Sequence, residues 1–225
     1  MLLLGVPAAT VWKTTPSGEH VQTRVIAYLQ ERGARLVSPE DIPPRLAQAI
    51  VAIEDERFYQ HHGVDTVGIA RAALFDVTHW CWCEGASTIT QQLVKDVYLH
   101  GSDRGFKKVI DATIALKVES IIPKDQILAD YLSEIPTGPD LYGVEEASCT
   151  YFGAPISELD LAEDALLAGL AQAPSAYDPL AHPHAAGMRR SEVLNAMLSE
   201  GYVTAQDVSH AEAEAIVPRG AHSGC

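Results

Sequence analysis

A chain of 225 residues that is 47% hydrophobic and 20% charged, with no low-complexity tract, holds enough apolar material for one large or two small globular domains and is not a disordered chain. Its 16 basic against 30 acidic residues leave a net charge of −14, which excludes a general nucleic-acid binder but leaves room for one local basic site. No run approaches about 20 apolar residues, which excludes a polytopic membrane protein.

The amino terminus, MLLLGVPAATVW, is mostly apolar but too short to span a bilayer, and it lacks the basic flank of a secretory signal. It reads either as an interfacial or core segment or as the tail of an anchor helix that starts upstream. Val21 to Ala27 alternates and is the best candidate for a short strand. Asp41 suits an N-cap, Pro43 and Pro44 a first turn, and Leu46, Ile50 and Ile53 follow at helical spacing. The intervals 60–86 and 136–157 hold Gly, Pro and short apolar pieces, and are expected to be irregular connections.

Ser87 suits the N-cap of a helix carrying Ile89, Leu93 and Val97. Phe106, Ile110, Ile114 and Val118, spaced by four, predict the next helix, and Pro123 opens another through Ile127, Leu128, Tyr131 and Leu132. Ser157 and Asp160 resemble a capping pair before the Ala/Leu-rich run to Gln172. Further helices are expected over 187–200 and 205–215, the second capped by Thr204. There is no internal repeat, so the fold class is mainly α. Cys81 and Cys83 form a lone C-x-C without the second pair a zinc site needs. With Cys149 and Cys225 they read as ordinary thiols or as a disulfide of an oxidising compartment.

Three places carry chemistry. In IEDERFYQHHGVD, Glu54, Asp55 and Glu56 close an apolar helix. A carboxylate leaving an apolar face suits a general base, although a solvated helix end with surface histidines has the same pattern. In GASTITQQLVKD, Thr88, Gln91, Gln92 and Lys95 fall on one flank near a helix start, which favours anions. Arg104, Lys107, Lys108 and Asp111 then follow at i, i+3, i+4, i+7. An acidic protein that gathers cations on such helices points to a phosphate or pyrophosphate, against the plainer reading of a solvated charged face.

Over about residues 38–200 the sequence resembles the peptidoglycan glycosyltransferase family, the transglycosylase unit of class A penicillin-binding proteins and of monofunctional transglycosylases. The first family motif, E-D-x-x-F-x-x-H-x-G, is intact at Glu54, Asp55, Phe58, His61 and Gly63. The second appears as GASTITQQLVKD, with Ala86 for Gly and Asp96 for Asn. The third, R-K-x-x-E, appears as KKVID, with Lys107 for Arg and Asp111 for Glu. The fourth survives as ILADYLSEIPTG through YFGA, with Ser133 for Asn, and the fifth, R-R-x-x-V-L, is intact from Arg189 to Leu194.

The resemblance implies a lysozyme-like helical lobe with a smaller, mobile membrane-facing lobe and a groove between them. It implies residues 1–37 as a segment preceding the enzyme, 38–216 as the glycosyltransferase domain and 217–225 as a tail. The implied reaction is polymerisation of lipid II into β-1,4-linked glycan strands, with inversion at the donor MurNAc anomeric carbon and release of undecaprenyl pyrophosphate. Glu54 is then the catalytic base and Asp111 the second catalytic carboxylate. Asp55, Phe58, His61, Gly63, Ser87, Thr88, Gln91, Gln92, Lys95, Arg104, Lys107 and Lys108 bind substrate.

No cofactor is required, and Mg2+ or Mn2+ at Asp111 is the one metal expectation. Expected partners are lipid II, the growing glycan strand, a membrane surface and cell-wall synthesis or division proteins, with no nucleic acid. The expected location is the extracytoplasmic face of the bacterial cytoplasmic membrane. Leu74, Phe75, Trp80 and Trp82 are the candidate membrane-facing residues, with core packing as the other reading. No S-x-x-K or K-T-G pair is visible, so a monofunctional enzyme is expected unless the chain is one piece of a longer polypeptide. Two alternatives stand beside it. A lytic hydrolase would not need the cationic face, and a catalytically weakened homologue would bind lipid II or a partner without turnover.

Overall fold

The structure, a computed structural model, describes residues 8–80, 87–101 and 105–216. Among them lie eleven α-helices and one two-stranded hairpin, arranged as two compact units: residues 1–25 with 57–127, and residues 26–56 with 128–225.

The first unit holds α1 (Ala8–Thr14), the start of α2 (Val21–Arg32), α4 (Thr66–His79), α5 (Ile89–Leu99), α6 (Phe106–Glu119) and the start of α7 (Lys124–Glu134). Its core is the α5–α6 pair, where Ile89, Leu93 and Val94 meet Ile114, Ala115 and Val118, each withdrawn from solvent. Burying each of the larger side chains contributes about 1.5–3 kcal/mol. Gly63, at φ +82°, fits here because a Cβ would come within 2.7 Å of the Ala115 backbone. The first helix is tied to α6 by Lys117, whose ammonium donates to the carbonyls of Trp12, Thr15 and Pro16 near its C-terminus.

The second unit holds the rest of α2, α3 (Pro44–Glu54), the rest of α7, the hairpin β1 (Pro136–Gly138) and β2 (Leu141–Tyr142), α8 (Val144–Phe152), α9 (Leu161–Leu170), α10 (Pro183–Ser199) and α11 (Ala205–Ala213). Helices α3, α9 and α10 pack on one another through Leu46, Ile50, Leu167, Leu170, Val193 and Leu194, all fully buried. Asp160 and Thr204 cap α9 and α11 in reciprocal capping boxes with Glu163 and Asp207.

The mainly α class is as expected, with four local corrections. Val21 to Ala27 is helix, because Val21, Val25 and Leu29 fall on one buried face at spacing four. Helices α4 and α8 fill much of the two intervals read as irregular. The cap of α5 is Thr88 rather than Ser87, because the Thr88 hydroxyl accepts from Gln91 N while the Gln91 side chain accepts from Thr88 N. Cys149 is held in a disulfide, so the ordinary-thiol reading fails for it. The expectations on Cys81, Trp82, Cys83, Ala86, Arg104, Cys225, the first seven residues and the 217–225 tail lie outside the described residues.

Candidate active site

Glu54 is the last residue of α3, and Asp55 caps the helix, its N–H donating to Val51 O at 3.0 Å. The apolar face of α3 is buried against α9 and α10, so the helix end brings the Glu54 carboxylate out of the core with its side chain 11% exposed. The partner there comes from the fifth motif. Arg189 Nη2 lies 3.7 Å from Glu54 Oε1. Arg189 is itself fixed, with Nε donating to Gly169 O at 3.3 Å and Nη1 to Glu192 Oε2 at 2.8 Å. Gly169 makes room for it, since a Cβ there would come within 2.8 Å of Arg189 Cγ. Arg190 donates to the carbonyls of Glu212 and Glu214 at the C-terminal end of α11. Asp55 is buried.

The anion-binding features lie in the first unit. A cavity of about 180 Å³ is lined by Ser87, Gln91, Gln92, Lys95 and Lys108. Lys108 Nζ donates to Ser87 Oγ at 2.8 Å and pairs with Asp111 Oδ2 at 3.1 Å. Gln91 Nε2 donates to the same Asp111 oxygen at 3.3 Å. Two ammonium groups, two amides and a hydroxyl line this small cavity, a donor set able to form charge-assisted hydrogen bonds to an anion. Lys95 Nζ also lies 3.9 Å from Asp96 Oδ2, a carboxylate that stands where the motif has an amide.

Several expected substrate contacts are placed elsewhere. Phe58 is fully buried in the core, and Thr88 is buried as a cap whose hydroxyl donates to Gly63 O at 2.8 Å. Gly63 packs against α6. His61 is 7% exposed and joins a buried group with Glu119 and Lys124, which the sequence did not single out. Lys107 points to solvent on α6. The segment 58–63 therefore builds the unit rather than opening onto the cavity.

Asp111, expected as the second catalytic carboxylate, is 0% exposed and is not among the residues that line the cavity. It orients Lys108 and Gln91 from below. A divalent cation at Asp111 would have that carboxylate as its protein ligand, with waters and substrate phosphate oxygens completing its shell, and would share the carboxylate with the Lys108 ammonium. Among the described residues no group of three or more His, Cys, Asp and Glu converges on a metal position.

On the first unit's surface, α4 exposes Val67, Leu74 and Val77, and Trp80 just past its end is 94% exposed. Phe75 stacks on His79. The core-packing reading of these residues therefore fails at Leu74 and Trp80. No helix among the described residues is long and apolar enough to cross a membrane.

Comparison with known proteins places this geometry. The family model described as Transglycosylase matches residues 21–198. The chain is 42% identical over 192 residues to penicillin-binding protein 1A of Escherichia coli K12, covering 85% of this chain and 23% of that protein. It is 44% identical over 184 residues to penicillin-binding protein 1A of Neisseria flavescens, covering 81% and 23%. The crystal structure of penicillin-binding protein 1A from Haemophilus influenzae superposes with a TM-score of 0.51 at 26% identity, covering 84% of this chain and 18% of that one. The chain thus spans about a quarter of the length of these curated relatives. With motif order, helical fold and family model in agreement, the chain belongs to the transglycosylase family.

Proposed function

We propose that the chain polymerises lipid II into β-1,4-linked glycan strands. The observation that carries this reading is the cavity of Ser87, Gln91, Gln92, Lys95 and Lys108, a polyanion site in a protein whose net charge is −14. A hydrolase acting on uncharged glycosidic bonds has no use for it.

The Glu54 carboxylate takes the proton of the acceptor GlcNAc 4-hydroxyl as its oxygen attacks C1 of the donor MurNAc. The C1–O bond to the α-linked pyrophosphate breaks on the opposite face, which inverts the centre to β. Undecaprenyl pyrophosphate leaves as an anion that Lys95 and Lys108 stabilise, with Ser87, Gln91 and Gln92 donating hydrogen bonds. Arg189 holds Glu54 in one orientation. No step runs through a metal.

The lipid tail requires a bilayer surface. The exposed apolar face of α4 with Trp80 supports insertion of the first unit, and Trp suits the interface. An acidic protein is repelled by anionic headgroups, so apolar contact rather than net charge brings it down. The reading places the enzyme on the extracytoplasmic face of the bacterial cytoplasmic membrane, with the growing glycan strand as its second ligand.

The test offers purified protein lipid II and finished peptidoglycan in parallel. Polymer from lipid II and no digestion of the finished wall is the expected result. Digestion without polymer would establish a lytic enzyme. Binding of lipid II without either product would establish the weakened homologue that the substitutions at Asp96, Asp111 and Ser133 allow.

A further inference from the structure

Two residues that no motif assigned above includes, Glu119 with its side chain withdrawn from solvent and the partly exposed Lys124, tie the first motif to the helix that carries the cavity. Glu119 ends α6 and Lys124 begins α7. Lys124 Nζ lies 2.7 Å from Glu119 Oε2, and the Glu119 side chain is 1% exposed. The other carboxylate oxygen accepts a hydrogen bond from the Thr90 hydroxyl. Lys124 also donates to His61 Nδ1 at 3.4 Å and stands 4.2 Å from the centre of the Phe58 ring.

Thr90 and Gln91 are neighbours in the first turn of α5. Thr90 is fixed to Glu119, and Gln91 to Asp111 at 3.3 Å. Eight residues separate the two acids, roughly 12 Å along α6. These two polar attachments add to the apolar packing of α5 on α6 and set the rotation of its first turn. The amide of Gln91 and the ammonium of Lys95 reach the cavity only at one rotation of α5, and a misplacement of about 1 Å is costly in a positioned site. Lys124 lies 2.7 Å from Glu119 and compensates its charge.

We infer that Glu119, neutralised by Lys124, is a positioning residue for the anion cavity. It fixes the rotation of α5 so that Gln91 and Lys95 meet the pyrophosphate, and this rests on the reading of that cavity as the pyrophosphate site. Neither residue touches the ligand; both act through α5.

The experiment is calorimetric titration of the 225-residue chain with inorganic pyrophosphate, well below its melting temperature. Glu119→Gln weakens binding about tenfold. Thr90→Val, which removes only the hydroxyl, does the same. Lys124→Arg retains most of the affinity. In a Gln91→Ala background, Glu119→Gln costs less than about twofold, because the group it positions is already gone. With lipid II, KM rises in Glu119→Gln while kcat changes less. A lowered melting temperature in Glu119→Gln and Thr90→Val with the pyrophosphate Kd unchanged would make the cluster purely structural and overturn the inference. Absence of binding by the wild type would instead overturn the pyrophosphate reading itself, and the inference with it.

Discussion

Arg189 Nη2 stands 3.7 Å from Glu54 Oε1, so the fifth motif supplies the partner of the first motif's acid within one compact unit. The pair is built from opposite ends of the domain's sequence. It explains why an arginine sits in the middle of α10 with its side chain only 7% exposed. Arg189→Lys keeps a cation but loses the fork that also binds Gly169 O and Glu192. We expect it to lower kcat for lipid II by roughly tenfold or more with a smaller change in KM. Equal turnover in Arg189→Lys would show that the contact does not orient the base.

Asp96 lies 3.9 Å from the Lys95 ammonium and offsets part of the charge the cavity offers to a polyanion. Asp96→Asn removes that competition and restores the residue of the motif. The expected outcome is a few-fold tighter binding of inorganic pyrophosphate, largest at low salt because the pair is partly exposed. Unchanged affinity across salt concentrations would show that Lys95 does not contribute to the site.

Asp111 reaches Lys108 and Gln91 with a side chain one methylene shorter than the glutamate of the motif. Asp111→Glu extends the carboxylate by about 1.5 Å. We expect a higher turnover rate, accompanied by a stability loss of about 1–3 kcal/mol from adding volume at a position withdrawn from solvent. Asp111→Ala, which releases both partners, should nearly abolish turnover. A slower Asp111→Glu enzyme would mean that α5 and α6 are set to the shorter residue.

Asp164 links charge to stability. Its carboxyl is buried on α9 beside Arg45, and burial pushes it up to about 7 against the pull of that guanidinium. In the unfolded chain it returns to its ordinary value of 3.8. The folded state therefore holds a proton that the unfolded chain releases between those values. The stabilisation is complete below about pH 4 and is lost as pH rises through about 7. Asp164→Asn should flatten the dependence of melting temperature on pH across that range and raise stability at pH 8, by an amount on the order of a few kcal/mol. Parallel melting profiles for wild type and variant would contradict this.

Much of the domain was legible in the sequence. Spacing of four marked α6, which has one buried and one wet face, and capping residues marked α9 and α11. Helix α4 escaped for the opposite reason. Val67, Leu74 and Val77 are apolar and exposed, so the contrast that periodicity needs is missing. The alternation of Val21, Thr23 and Val25 suggested a strand, and only the continuation to Leu29 at spacing four reveals the helix.

At the site, Glu54, Lys95 and Lys108 were singled out from motif and charge pattern, and the latter two line the cavity. Glu119 and Lys124 were not. An acid ending one helix and a lysine opening the next look solvated in sequence, and only tertiary packing around Phe58 and His61 buries them. The same packing buries Phe58 and His61, and it holds Gly63 and Thr88 against each other. The capping box of Thr88 and Gln91 was the one local signal that would have identified Thr88 as structural.

The central claim is that Glu54 is the base of a lipid II polymerase. The most direct measurement is the rate of polymer formation from labelled lipid II by the wild type and by Glu54→Gln, with lipid II binding measured for both. Polymer from the wild type, a loss of about a hundredfold to ten-thousandfold in Glu54→Gln and equal binding is the predicted result. Glu54→Gln polymerising at the wild-type rate would contradict the account.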